Sequence, residues 1–159
     1  MELRYEDLDN IIKKDLKPPV LAYESWIECT SLQDLLAIQY NHNSLHMESL
    51  TIRERILGTH CPEVAHPIVF RGAVCADNGR FDRCVALWLH ALELRQNNRI
   101  TVQRDLLRFA QLFSQMIHVD TELKITYVTD VLKATIIELE RNKERTIRPG
   151  PKGNEWKFN

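Results

Sequence analysis

The residues that could do chemistry are few. His42 and His46 are four apart, a spacing that sets two imidazoles on one helix face and suits a metal ion, and Cys61 sits beside His60 and near His66. A metal site needs more ligands than that, and the chain has no Cys-x-x-Cys pair to complete one. Covalent catalysis would need a Ser or Cys held against a base, and no Gly-x-Ser-x-Gly, P-loop or dinucleotide fingerprint occurs. Trp88 has the surface to stack on a ligand, but its spacing is that of a core residue, as is that of Phe109, Leu112 and Phe113. The expectation is therefore a protein without metal, cofactor or catalytic residues. Its function would be to bind.

The elements that would carry such binding are helices. Glycine and proline are sparse, at 5 and 6 of 159 residues, and Leu, Ile, Ala, Glu, Arg and Gln dominate the long stretches, so no sheet is expected. A modest helical pattern runs through residues 1–17 and stops at Pro18-Pro19, and an extended connector reaches Thr30. Ser31 with Asp34 reads as a capped helix start, followed by apolar residues at helical spacing as far as Gly58. Asn41-His42-Asn43-Ser44 are poor helix formers that threaten to break that stretch in two. Helices are then predicted over 63–78, 81–97, 101–118 and 127–143, with Gly79 ending the first of these. Pro149-Gly150-Pro151 cannot continue a helix, so the reading is a single helical domain over 1–143 and an irregular tail over 144–159.

Charge and composition exclude other partners. A formal net charge of -1 with interspersed signs offers no footprint for a phosphate backbone, so nucleic acid is not expected. No stretch is apolar enough to span a membrane, and the first residues carry acids where a signal peptide carries bases. Cys29, Cys61, Cys75 and Cys84 are then expected to be reduced, in a cytoplasmic or nuclear protein.

A repeat gives the helices a fold. From Gly72, the chain places Cys75, Gly79, Phe81, Cys84, Trp88 and Ala91-Leu92 at the offsets where tetratricopeptide units put glycine, aromatic and small residues. Gly72 would let two antiparallel helices approach, with Ala91 opposite, while Phe81 and Trp88 fill the remaining space. Cys75 replaces the usual aromatic, and Phe70 is the residue expected to compensate. Upstream, Ser49–Glu54 aligns with Ala91–Gln96, at a period longer than the usual 34 or so. In this register His42 and His46 fall on packing positions. Downstream, Ser114 and Ile117 take the places of Gly72 and Cys75, and Val131 and Ala134 echo Trp88 and Ala91 in a degenerate third unit. The expected fold is all-α, tetratricopeptide-like hairpins in a short right-handed solenoid.

The stretches Leu45–Gly58, His66–Gln96 and Arg104–His118 resemble the central tetratricopeptide region of the Fem (feminization) homologs, ankyrin-repeat substrate receptors of cullin-RING ubiquitin ligases. The likeness runs from about Pro18 to Lys143. It implies a scaffold that recruits proteins for ubiquitination, with no catalysis in this polypeptide. No Thr-Pro-Leu-His ankyrin signature and no Leu-x-x-x-Cys/Ala cullin-binding box occurs, so the ligase components would be met through regions absent from this chain. The family's main degron pocket lies largely in its ankyrin repeats, and no degron-binding residue is carried over.

Helix phase places His66, Val69, Ala73, Asp77, Arg108, Gln111 and Gln115 on the concave face that helical-pair solenoids present to protein partners. The type of clamp that grips a C-terminal carboxylate uses Lys, Asn or Arg where this chain has Val69 and Ala73, and is not expected there. The partner is expected to be a protein substrate or peptide, or a second copy of the chain. The competing expectation is a structural or dimerisation spacer within a larger receptor. A further reading has the cationic tail, with Trp156 and Phe158, docking on a helical surface near Asp77.

Overall fold

The structure, a computed structural model, describes residues 16–147. Within them the chain is all-α: α1 (Leu32–Ile38), α2 (His42–Leu57), α3 (Ala65–Asp77), α4 (Phe81–Asn97), α5 (Gln103–His118) and α6 (Ile125–Ile147), with short 3-10 turns at Leu21–Tyr23 and Pro62–Val64. No strand occurs among the described residues. None of these helices is long and apolar enough to cross a membrane. The contacts gather in two compact units, one ending at Ile100 and the other beginning at Thr101. Residues 1–15 of the helix predicted over 1–17, and the predicted tail contacts of Trp156 and Phe158, lie outside the described residues, and positions 16 and 17 are not helical.

The break inside the long apolar window is real. Ser31 and Asp34 form a reciprocal capping box at the start of α1, and α2 begins anew at His42 because the Asn41 side chain accepts the amide of Ser44. The predicted connector before α1 is not merely extended. Its 3-10 turn packs Tyr23 at 0% exposure, the hydroxyl donating to Glu54 at 2.6 Å and the ring meeting His90 edge-on at 5.3 Å between centroids.

The α3–α4 hairpin is the best-packed part of the first unit. Gly79, at φ 70°, takes a left-handed conformation that closes α3, with its amide on Ala76 and the Arg80 amide on Cys75 at 2.8 Å. Ile68, Cys75, Phe81, Cys84, Val85, Leu87, Ala91 and Leu92 are buried between and beside the two helices. The side chain lying over Gly72 is Trp88 rather than Ala91, and a Cβ at Gly72 would fall inside van der Waals contact with Trp88 Cδ1 and Nε1. Trp88 is only half-buried, with its indole N–H on the Val69 carbonyl at 2.9 Å. Phe70 is 65% exposed and does not compensate for Cys75.

In the second unit, Thr101 donates to Glu138 at 3.2 Å, so α6 runs back along α5. Phe109, Leu112 and Met116 are buried on α5, and Val131 and Ala134 on α6. Helix α6 extends through Ile147, past the predicted start of the tail at Glu144. All four cysteines are free. Burial pushes the Cys84 thiol up, with Cys75 and Asp77 adding to the effect, and raises Cys29 to about 11, with Glu48 contributing.

Candidate protein-binding groove

His66 and Asp77 are exposed on α3, while Val69 and Ala73 are half-buried. Arg108 is half-buried on α5 and paired with Asp105 at 2.7 Å, and Gln111 and Gln115 are exposed. The α3 residues belong to the first unit and the α5 residues to the second. The register of α5 differs from the prediction: Ser114 and Ile117, aligned with the buried Gly72 and Cys75, are exposed, and the buried residues Phe109, Leu112 and Met116 fall one place earlier. On that phase, Leu107, Ala110, Ser114 and His118 are the α5 counterparts of His66, Val69, Ala73 and Asp77. The chain keeps α5 amphipathic at the expense of the repeat period, because burying Phe109, Leu112 and Met116 outweighs keeping register.

His42 and His46 are exposed rather than packed. Burial, Arg71 and His42 together hold the His46 imidazole below its ordinary range. No cluster of His, Cys, Asp and Glu able to hold a metal ion occurs among the described residues.

A groove of about 660 Å³ opens instead between the α1–α2 connection and the C-terminal half of α3. Tyr40, His42 and Asn43 line it from the α1–α2 connection, Arg71 and Asn78 from α3 and its C-cap, and Arg80 from the turn that follows. None of the seven residues picked from helix phase lines it. The sequence signal that was missed is Arg71. It directly precedes Gly72, where the repeat pattern W-x₂-L-G carries leucine, so a charge occupies a packing slot. Tyr40, Asn43 and Arg80 gave no such signal.

Arg71 differs from the other buried charges of the first unit. Arg55 clasps Glu28 through Nε at 2.6 Å and Nη2 at 2.9 Å. Glu48 accepts the Trp26 indole at 2.7 Å and the Cys29 amide at 3.1 Å. Glu54 accepts Tyr23 and approaches His90 Nε2 at 2.8 Å. Burial pushes the Glu54 carboxyl up, but the hydrogen bonds from His90 and Tyr23 outweigh it and hold the group below the usual carboxylate range. The same burial and the neighbouring Glu54 drive the Tyr23 phenol strongly up. Arg71, by contrast, has no acid. Its Nη2 donates to Asn43 Oδ1 at 3.0 Å, and its Nε is buried without a partner.

These helices match known proteins along almost their whole length. Fem-1 homolog C of Bos taurus is 35% identical over 94% of this chain, fem-1 homolog A of Rattus norvegicus 35% over 94%, and fem-1 homolog C of Homo sapiens 34% over 94%. The chain is similar to one segment of the Fem-1 homologs. It spans only about a quarter of the length of these Fem-1 relatives: 26%, 25% and 26% in the same order. No family model matches.

Proposed function

We propose that this chain is a protein-interaction module, the tetratricopeptide-type scaffold of a substrate-recognition subunit of a cullin-RING E3 ubiquitin ligase, with no catalytic role of its own. The observation that carries this reading is the likeness to Fem-1 homologs over 94% of the chain. The groove at Arg71, framed by side chains from both the α1–α2 connection and α3, supports it as a surface that a partner can enter.

A second reading has its own support. Leu132, Ile136 and Leu139 are exposed on α6, an apolar stripe of the kind that flanking parts of a longer receptor cover, so the segment would be a spacer. Grafting this chain in place of the matching segment of the Homo sapiens homolog C separates the two. The scaffold reading expects the graft to retain cullin and expects Arg80→Glu in the graft to change which cellular proteins are turned over. Retained cullin with the same turnover set in native, grafted and Arg80→Glu receptors would make the segment a spacer. Loss of cullin on grafting would overturn the view that ligase components are met elsewhere in the receptor.

A further inference from the structure

Arg71 is 7% exposed, carries a positive charge, and has one hydrogen bond, to a neutral amide. The acid closest in the hydrogen-bond chain, Glu24, is already engaged. Its Oε1 takes Arg83 Nε at 2.8 Å and its Oε2 takes Asn43 Nδ2 at 2.9 Å. Because Asn43 gives its amide N–H to Glu24, it can offer Arg71 only its oxygen. That oxygen orients the guanidinium without neutralising it.

The groove beside Arg71 contains no acid among its lining residues, and it brings a second cation, Arg80, to the same cavity. An aromatic ring, Tyr40, 87% exposed, also lines it. A buried, oriented and uncompensated guanidinium facing an open groove is what a site for an anion looks like before the anion arrives. The volume suits a few residues of peptide. Two arginines and neutral amides are too few cations for a nucleic-acid backbone, and planar guanidinium geometry matches a carboxylate.

We propose that this groove binds a carboxylate of a partner protein, seated between Arg71 and Arg80, with Tyr40 packing on the neighbouring residue. The proposal rests on the protein-interaction half of the function above and not on its ligase half, so it can fail while that function stands.

The test uses the full chain and fluorescent Gly-Ser-Tyr peptides in three forms: a free C-terminus, an amidated C-terminus, and an amidated C-terminus with an internal Glu pair. Binding is read by fluorescence anisotropy and by shifts of amide and side-chain resonances in nitrogen-labelled protein. Binding of the free form alone assigns the site to a chain terminus, and binding of the Glu form assigns it to acidic side chains. Either result supports the proposal if shifts centre on Asn43, Arg71, Asn78 and Arg80 and if Arg80→Gln weakens binding by about tenfold, the weight of one charge-assisted contact. Arg71→Gln should abolish binding. Should that variant misfold by circular dichroism, the exposed Arg80→Gln and the resonance map decide. No binding by any acidic form, binding indifferent to Arg80, or binding of inorganic phosphate in place of the peptides would overturn the proposal.

Discussion

Between α3 and α4 the approach is limited by an indole. Trp88 lies over Gly72 and anchors its N–H on Val69, so the residue that the repeat pattern marks as a core aromatic acts as a half-buried lid on the hairpin. Gly72→Ala forces that ring to shift and should cost about 1–3 kcal/mol, the range for overpacking. In a Trp88→Leu background the same change should cost less than about 0.5 kcal/mol, because the obstacle is gone. Urea unfolding of the four proteins measures the coupling, and equal costs in both backgrounds would show that Trp88 is not the limiting contact. Glu54 supplies a second test at this scale. Its folded pKa is depressed, so its contribution to stability is present above the ordinary carboxylate value and is lost as pH falls through the folded pKa. Glu54→Gln should destabilise by about 1.5–3 kcal/mol at neutral pH, as expected for hydrogen bonds to a charged group. The difference from wild type should shrink on acidification. A gap that stays constant down the acid limb would mean that the charge on Glu54 does not matter.

At the scale of elements, legibility followed local chemistry. The sequence reading of α4 matches its observed span, Phe81–Asn97, because Gly79 ends the preceding helix and the apolar spacing is dense. The capping box at Ser31 was equally plain, since its signal is contained in four adjacent positions. The segment before α1 was not legible. Tyr23, Trp26 and Glu28 are held by Glu54, Glu48 and Arg55, partners 22 to 31 residues away, and no local period announces them. Nor did the groove show itself, because it joins the tip of one helical pair to the flank of the next; only Arg71 in a leucine slot could have pointed to it. The consequence is that the connector is a structural element. A chain shortened to begin at Ser31 loses Tyr23 from beneath Glu54 and His90 and leaves Glu48 and Arg55 buried without their partners from the connector. Its urea midpoint should fall well below that of the full chain. An unchanged midpoint would show that residues 1–30, the connector included, are dispensable to the fold.

Across the whole molecule, the two units differ in how much they bury. The first closes its core with Tyr23, Met47, Ile68, Val85, Leu87 and Leu92, reinforced by the carboxylate contacts of Glu28, Glu48 and Glu54. The second buries Val102, Phe109, Leu112 and Met116 but leaves Ile125, Leu132, Ile136, Leu139 and Ile147 exposed along α6. Local stability tracks buried apolar contact, so opening should be graded along the chain. Amides in the middle of α3 and α4 should exchange slowest, at rates set by the most global unfolding the chain shows, while those of α6 beyond Ala134 should exchange orders of magnitude faster. Leu132→Glu and Ile136→Glu place charge on an already solvated face and should each change stability by no more than about 0.5 kcal/mol. If α6 instead proves as protected as α4, or either substitution costs several times that amount, the apolar stripe is covered in solution, and self-association measured by light scattering would reveal whether a second copy covers it.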